Sequence, residues 1–492
     1  MNDNLDEIQV VLVSNRGPVS FVKKDDDFRK KRGAGGLAGA LDPVARRLGD
    51  RAIWIASATT EDDREALHAG AADGLADLLG YSVYLLDIDP SIYSRYYDVV
   101  SNRMLWFAVH CLWDELGIKE FGSDELSAWD DAYLPVNMRF ARAVLEIAEP
   151  DAYILFQDYH LSTAPGDLRR ERPDQTIFHF THSSFCGPDG LERLPRPIPQ
   201  RFIEGMLGAD LLGFHVPAWC DGFMACCERI GAKVDREAGL VEHDDRRTWI
   251  RPYPIPIDVN QLRKRSQRKP AQKWSDRFES ERKGPLVVRA DRTEPSKNIV
   301  RGFKAFEKLL DRRRDLRDVR FVACLYPSRQ SMPEYRRYAE DIEQTVAAIN
   351  SRYPDSIDLY MKDDFDRTLG ALMVYDALLV NPIMDGMNLV SKEGPTVNTR
   401  DGTVALSTGA GSFMELGKFA VKIDDALDIE KTADALERAL DMPDDARRER
   451  AEGLREKVES NKPAHWIEAQ LEDLSAIRTH GEPKSSINRE DL

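Results

Sequence analysis

Short apolar runs rich in β-branched residues alternate along this chain with longer stretches of helical period. In the first half the runs fall at residues 9–14, 52–56, 82–87, 152–157, 176–180 and 211–214; in the second half at 286–290, 320–325, 357–360, 377–380, 404–407 and 420–423. A strand buried on both faces reads as a continuous apolar run, and alternation with helices implies parallel sheets. The pattern predicts an α/β protein with two Rossmann-like domains in series. The 492 residues are too many for one ordinary core, which agrees.

The boundary is expected near 251–258, where RPYPIPID holds three prolines and favours an extended linker. Domains are therefore expected at 1–255 and 256–462. An amphipathic helix at about 463–479 and a disordered tail over 480–492 follow. The net charge of −16 (69 basic, 85 acidic residues) argues against nucleic acid and anionic membranes as partners. Anionic substrates would need focused Arg and Lys clusters. None of the cysteines forms a CxxC pair, so reduced thiols are expected. The acidic start, MNDNLDE, does not read as a signal peptide, and no apolar run is long enough to span a membrane. A cytoplasmic protein is expected.

Polar clusters at strand ends are the candidates for chemistry, because open α/β sheets bind ligands there. The first strand ends in Ser14-Asn15-Arg16, and a glycine cluster, Gly33-Ala34-Gly35-Gly36, precedes a helical stretch. The cluster reads either as a plain loop or as an anion cradle at a helix N-terminus. Two successive strands end in Gln157-Asp158-Tyr159-His160 and in Thr181-His182. Asp158 can accept from a sugar hydroxyl, and His182 can hydrogen-bond a sugar or a leaving group. In the second half, Arg292 and Lys297 follow one strand and Arg329 the next. Arg offers phosphate a bidentate fork and Lys a point charge. The segment 381–393 reads NPIMDGMNLVSKE. Gly386 permits a turn, and a helix is expected to begin near Met387. The amides of Met387, Asn388, Leu389 and Val390 would then face an anion. Asp385 would stand outside the helix, and Glu393 could accept from ribose hydroxyls.

Taken in order, these segments resemble the retaining glycosyltransferases of the trehalose-6-phosphate synthase type, glycosyltransferase family 20. The resemblance runs through Gly33–Leu37, Tyr96-Tyr97, Ser101-Asn102, Leu105-Trp106, Asp158-Tyr159-His160-Leu161, His182, Arg292 with Lys297, Ser328-Arg329, and Asp385-Gly386-Met387-Asn388-Leu389-Val390 with Lys392-Glu393. It implies a GT-B fold, two Rossmann-like domains facing a central cleft with the last helix crossing back to the first. Its implied donor residues are Gly35, Gly36, Arg292, Lys297, Asp385, Met387, Asn388, Leu389, Val390 and Glu393. Arg16, Tyr97, Trp106, Asp158 and Arg329 would hold the acceptor, and His182, Asp158, Asp385 and Arg292 would serve the reaction. That reaction would move glucose from GDP- or UDP-glucose to glucose 6-phosphate, with no cofactor or metal, in a protein compatible with a homo-oligomer. Near the donor the chain departs from the family pattern: Gln157 replaces a His, Thr293-Glu294-Pro295 a Leu-Asp-Tyr, and Asp363-Asp364 stands before Phe365. These departures also resemble the pseudo-glycosyltransferase branch that makes validoxylamine 7′-phosphate. That branch tends to lose the Met and Val that this chain keeps at Met387 and Val390. A glucosylglycerol phosphate or a pseudo-disaccharide phosphate is the alternative product; a non-catalytic sugar-phosphate sensor is the rival of another class.

Overall fold

Every one of those apolar runs is a strand. A computed structural model describes residues 8–25, 27–32, 36–118 and 120–485. The chain divides into two compact units, one running to Ile255 and resuming at Ala464, the other spanning Pro256–Pro463.

In the first unit the strands are β1 (Val10–Arg16), β2 (Val19–Lys24), β3 (Asp27–Arg32), β4 (Ala52–Ser57), β5 (Ser82–Leu86), β6 (Tyr153–Gln157), β7 (Thr176–Phe180), β8 (Leu211–Phe214), β9 (Lys233–Asp235), β10 (Leu240–His243) and β11 (Arg246–Pro252). The large sheet has the order β5-β4-β1-β6-β7-β8-β11-β10-β9. The pairings from β5 to β11 are parallel; β9 and β10 close the edge antiparallel. Setting aside the separate β2–β3 hairpin, the first six strands follow the Rossmann order 3-2-1-4-5-6. The order reverses between β1 and β6. β1 is buried at every position except its last, Arg16, so the one residue free to meet a ligand is the cation at its C-terminal end.

The last helix, Pro463–His480, belongs with this unit from Ala464 on. Trp466 Nε1 donates to the Tyr253 carbonyl at 3.0 Å, and the Tyr253 hydroxyl donates to buried Asp473 at 2.6 Å. The segment beyond was expected to be disordered from residue 480, yet it is held through Ser485. Trp249 Nε1 donates to Gly481 O at 3.1 Å, Arg251 Nε to Ser485 O at 2.8 Å, and Ser485 N to Asp473 at 2.8 Å. Residues 486–492 of that expected tail lie outside the described residues.

The second unit is a parallel sheet of β12 (Leu286–Arg292), β13 (Arg320–Tyr326), β14 (Ile357–Met361), β15 (Ala377–Val380), β16 (Thr403–Ser407) and β17 (Val421–Ile423). Its order, β14-β13-β12-β15-β16-β17, is again 3-2-1-4-5-6, reversing between β12 and β15. Alternate residues enter opposite cores. Val288 and Val322 join one apolar cluster; Val287 and Phe321 join the other. Both faces being covered explains the unbroken apolar runs. Arg289 is the exception: fully buried, it donates to Asp291 at 2.8 Å and to the Lys297 carbonyl at 2.9 Å. Gly302 leaves it room, since a Cβ there would come within 2.4 Å of its Nη1.

Candidate active site

Each unit places its polar cluster at its own switch point. In the second unit, Arg292 ends β12 and Asp385 follows β15, its neighbour across the reversal. The short turn Pro295–Lys297 returns the chain, so that Lys297 Nζ lies 2.5 Å from Asp385 Oδ2. Asn388, at φ +68°, donates to the same carboxylate oxygen at 3.0 Å. Burial works against the Lys297 charge, but Asp385 and Asp291 outweigh it and hold the ammonium above its usual range. Backbone bonds fix Asp385 in turn: its N–H donates to Gly409 O at 2.9 Å and its carbonyl accepts from Gly411 at 3.1 Å.

The helix expected near Met387 begins three residues later, at Val390, because Asn388 occupies the left-handed region. Among the described residues none accepts from the backbone N–H groups of Met387, Asn388 or Leu389. In the first turn of this helix, Glu393 makes no side-chain hydrogen bond or ion pair among the described residues, and burial pushes its carboxyl up to about 7. It lies close enough to Tyr326 to raise that phenol, and Tyr326 is the ladder partner of Arg292. Lys392, beside it, is instead consumed by a buried pair with Glu415 at 2.5 Å.

Glu294, one of the three residues that replace the family's Leu-Asp-Tyr, joins the site without a role implied by the resemblance. It is 1% exposed, 2.8 Å from Arg292, 3.6 Å from Arg329, and it accepts from Ser328 at 3.0 Å. Burial pushes its carboxyl up, but the two guanidiniums and Lys297 outweigh this and hold it at about 2. A carboxylate between two cations, in a motif already rich in cations, was the available signal. Arg292 remains half exposed beyond it, while Arg329 is nearly buried against Tyr335. Of the departures from the family pattern, Asp364 caps the helix Phe365–Val374 by accepting from Arg367 N at 3.0 Å.

In the first unit, Arg16 donates to the Tyr97 hydroxyl at 2.9 Å, and Tyr97 stacks on His160. Tyr97 lies on a π-helical stretch, Arg95–Leu105, a form common near functional sites. Trp106 follows directly and is buried, packed on Phe107 and His110, with 4% of its surface exposed. Across the reversal, Asp158 takes φ +72° at the end of β6. It accepts from the His182 N–H at 3.2 Å and faces His160 at 3.6 Å. Burial pushes the Asp158 carboxyl up, and the His160 hydrogen bond with the His160 and His182 charges more than reverses it. Burial lowers His182 to about 4, so its imidazole is neutral at physiological pH, 3.0 Å from the Gln157 amide oxygen. Gly35 lies outside the described residues; Gly36 opens the helix Gly36–Leu48.

No helix among the described residues is long and apolar enough to cross a membrane. Two Rossmann-like units, each with charged and sugar-binding residue types at its switch point, define the α/β class of GT-B type. The chain belongs to glycosyltransferase family 20, whose profile matches residues 8–476. The trehalose-6-phosphate synthase of Mycobacterium tuberculosis is 31% identical over 492 residues, covering 96% of this chain and 95% of its own. The validamine 7-phosphate valienyltransferase of Streptomyces hygroscopicus subsp. jinggangensis is 30% identical over 483 residues, covering 95% and 94%. The crystal structure of the α,α-trehalose-phosphate synthase (UDP-forming) from Burkholderia vietnamiensis aligns with a TM-score of 0.79 at 26% identity, over 95% of this chain and 100% of that one.

Proposed function

We propose that this glycosyltransferase moves glucose from a nucleotide-glucose to glucose 6-phosphate, giving α,α-trehalose 6-phosphate with retained configuration. One observation carries the reading. A single switch point gathers Arg292, the Lys297–Asp385–Asn388 cluster, and, unmet among the described residues, the amides of Met387 to Leu389 and the carboxyl of Glu393. Cations and amides suit a diphosphate. Asp385 suits sugar hydroxyls, and Glu393 suits the paired hydroxyls of a ribose. Gly35, Gly36 and Val390 complete the donor side of the proposal.

Asp158 and His182 are assigned to the transferred sugar. Asp158 stays ionised and accepts hydroxyls; His182 offers a neutral ring and carries no standing charge to the departing diphosphate. Arg16, Tyr97, Trp106 and Arg329 are assigned to the acceptor, with Arg16 already oriented by Tyr97. As the bond to the diphosphate breaks, charge grows on its oxygens, and Arg292, Lys297 and the amides stabilise it more than they stabilise the bound donor. The leaving oxygen then takes the proton of the incoming hydroxyl on the same face.

The full-length kinship with a valienyltransferase favours a second reading, a cyclitol donor and a pseudo-disaccharide phosphate product. A panel of UDP-, GDP- and ADP-glucose, each with glucose 6-phosphate, followed by nucleotide release and product NMR, tests the first. Nucleotide release only with a cyclitol donor and an aminocyclitol phosphate would replace it with the second. No release with any pair would leave a sensor.

A further inference from the structure

None of the cysteines enters the proposed reaction, yet two of them meet. Cys220, Cys226, Cys227 and Cys324 are buried, whereas Cys111 and Cys186 are partly exposed. Cys111 closes the turn after the helix Trp106–Val109. Its N–H donates to Ala108 O at 3.1 Å, and its φ of +52° is one that a non-glycine residue rarely adopts. Cys186 lies in the loop after β7. Its N–H donates to Val109 O at 3.0 Å, and its Sγ is 3.2 Å from Ala108 O. One dipeptide, Ala108-Val109, therefore holds the backbone of both residues, and the Cys186 thiol sits on the same Ala108 carbonyl that closes the Cys111 turn.

The surroundings pin this arrangement. A Cβ on Gly190 would come within 2.6 Å of Cys186 Sγ and 2.0 Å of Ala108 O, and one on Gly222 within 2.1 Å of Phe185 O. Glycine at both positions lets the loop and the turn close on each other. Ser184 Oγ adds a bond to Val109 O at 3.2 Å.

We propose that Cys111 and Cys186 are a peroxide-responsive dithiol that closes reversibly to a disulfide. Cys111 is the attacking group. The neighbouring Cys186 side chain holds the Cys111 thiol below its usual range, and Cys111, with burial, pushes Cys186 up. The lower thiol carries more thiolate, and the thiolate is the nucleophile. Its sulfur attacks a hydroperoxide oxygen; the O–O bond breaks, an alcohol or water leaves, and Cys111 becomes a sulfenic acid. Cys186 then loses its proton and attacks that sulfur, which expels hydroxide as water. Two thiols and one hydroperoxide give one disulfide, one alcohol (or water) and one water. The resolving thiol keeps Cys111 off the irreversible steps of the ladder. The loop that becomes tied down carries His182, whose N–H holds Asp158.

The test is made on the full chain. Purified reduced protein is treated with hydrogen peroxide near equimolar, and alkylated digests are read by mass spectrometry. The expected result is one cross-linked pair joining the Cys111 and Cys186 peptides, a mass loss of about 2 Da in the intact chain, and full reversal by dithiothreitol. Cys186→Ser should leave Cys111 to overoxidise to the sulfinic acid, a gain of about 32 Da that the wild type resists. Cys226→Ser should leave the cross-link unchanged. If Cys111 and Cys186 both remain alkylatable in peroxide-treated wild-type protein, or if Cys111 is joined to another cysteine, the proposal is overturned. The wild-type arm decides this even if a variant folds poorly.

Discussion

Arg292 and Lys297 carry the same charge in opposite settings, which makes their roles separable. Arg292 is 55% exposed and leans on Glu294, whereas the Lys297 side chain is 10% exposed and paired with Asp385. Arg292→Ala is expected to lower kcat/KM about a hundredfold, roughly 3 kcal/mol of transition-state stabilisation, with the smaller loss of Tm, because buried Glu294 keeps Arg329 and Ser328. Lys297→Met is expected to lower both, because Asp385 is left buried without its ammonium at a cost of about 3–5 kcal/mol. Steady-state kinetics beside thermal melts separate the two; an equal loss of Tm would refute the distinction. Glu393 adds a pH dependence. Burial raises its carboxyl to about 7 in the folded protein, against about 4.3 for an exposed glutamate. Between those values the folded state binds more protons than the unfolded one, so its contribution to stability falls as pH rises through that window. Glu393→Gln should match the wild type below about pH 4 and exceed it above about pH 7, measured by denaturant midpoints. Nucleotide affinity should run the other way, rising through the same window in the wild type as the acceptor carboxylate forms, and staying flat in the glutamine variant.

Elements buried on both faces were legible in the sequence, and elements defined by pairing were not. β1 and β12 announce themselves as VVLVSNR and LVVRADR, apolar runs that end in a cation. The hairpin β2–β3 and the edge strands β9 and β10 escaped because their residues are largely charged or half exposed, so no apolar run marks them; β11 is buried over 248–251 and escaped because Arg246, Arg247 and Arg251 break its apolar run. The candidate site shows the same division. Lys297, Asp385 and Glu393 were readable as residue types, but the contact of Lys297 with Asp385 depends on the bridge that joins Asp385 to Ala410. Asn388 in the left-handed region delays the helix from Met387 to Val390, and nothing local in the segment encodes a bridge partner more than twenty residues on. Gly411 makes the bridge possible, since a Cβ there would come 2.0 Å from Gly386 O. Gly411→Ala is therefore expected to weaken nucleotide binding at least tenfold and to cost about 1–3 kcal/mol of stability. Gly39→Ala is the control: it lies within the helix Gly36–Leu48 with no atom of the described residues within 4 Å of the added methyl, and should stabilise by about 0.5–1 kcal/mol. Calorimetric titration with a nucleoside diphosphate reads the first effect, and denaturant unfolding reads both.

At the scale of the whole molecule, the chain leaves its first unit at Ile255 and returns to it at Ala464, so the first unit is completed only by a segment that follows the whole of the second. Its two segments are joined through buried polar bonds. Tyr253 meets Asp473 at 2.6 Å and Trp466 at 3.0 Å, and Arg251 meets Ser485 at 2.8 Å. Breaking such a bond leaves a buried group unpaired, at about 1–3 kcal/mol each. Each unit has its own sheet and apolar clusters, which predicts two unfolding transitions in scanning calorimetry rather than one. Asp473→Asn should lower one transition and leave the other in place. A nucleoside diphosphate should do the reverse. The proposed donor residues from Arg292 to Glu393 belong to the unit spanning Pro256–Pro463, so ligand at a hundred times its Kd should stabilise that unit by about 2.7 kcal/mol. The transition it raises should be the one that Asp473→Asn spares. If nucleotide and the Asp473 substitution move the same transition, the donor site lies in the wrong unit, and the assignments of Arg292, Lys297, Asp385 and Glu393 fall together.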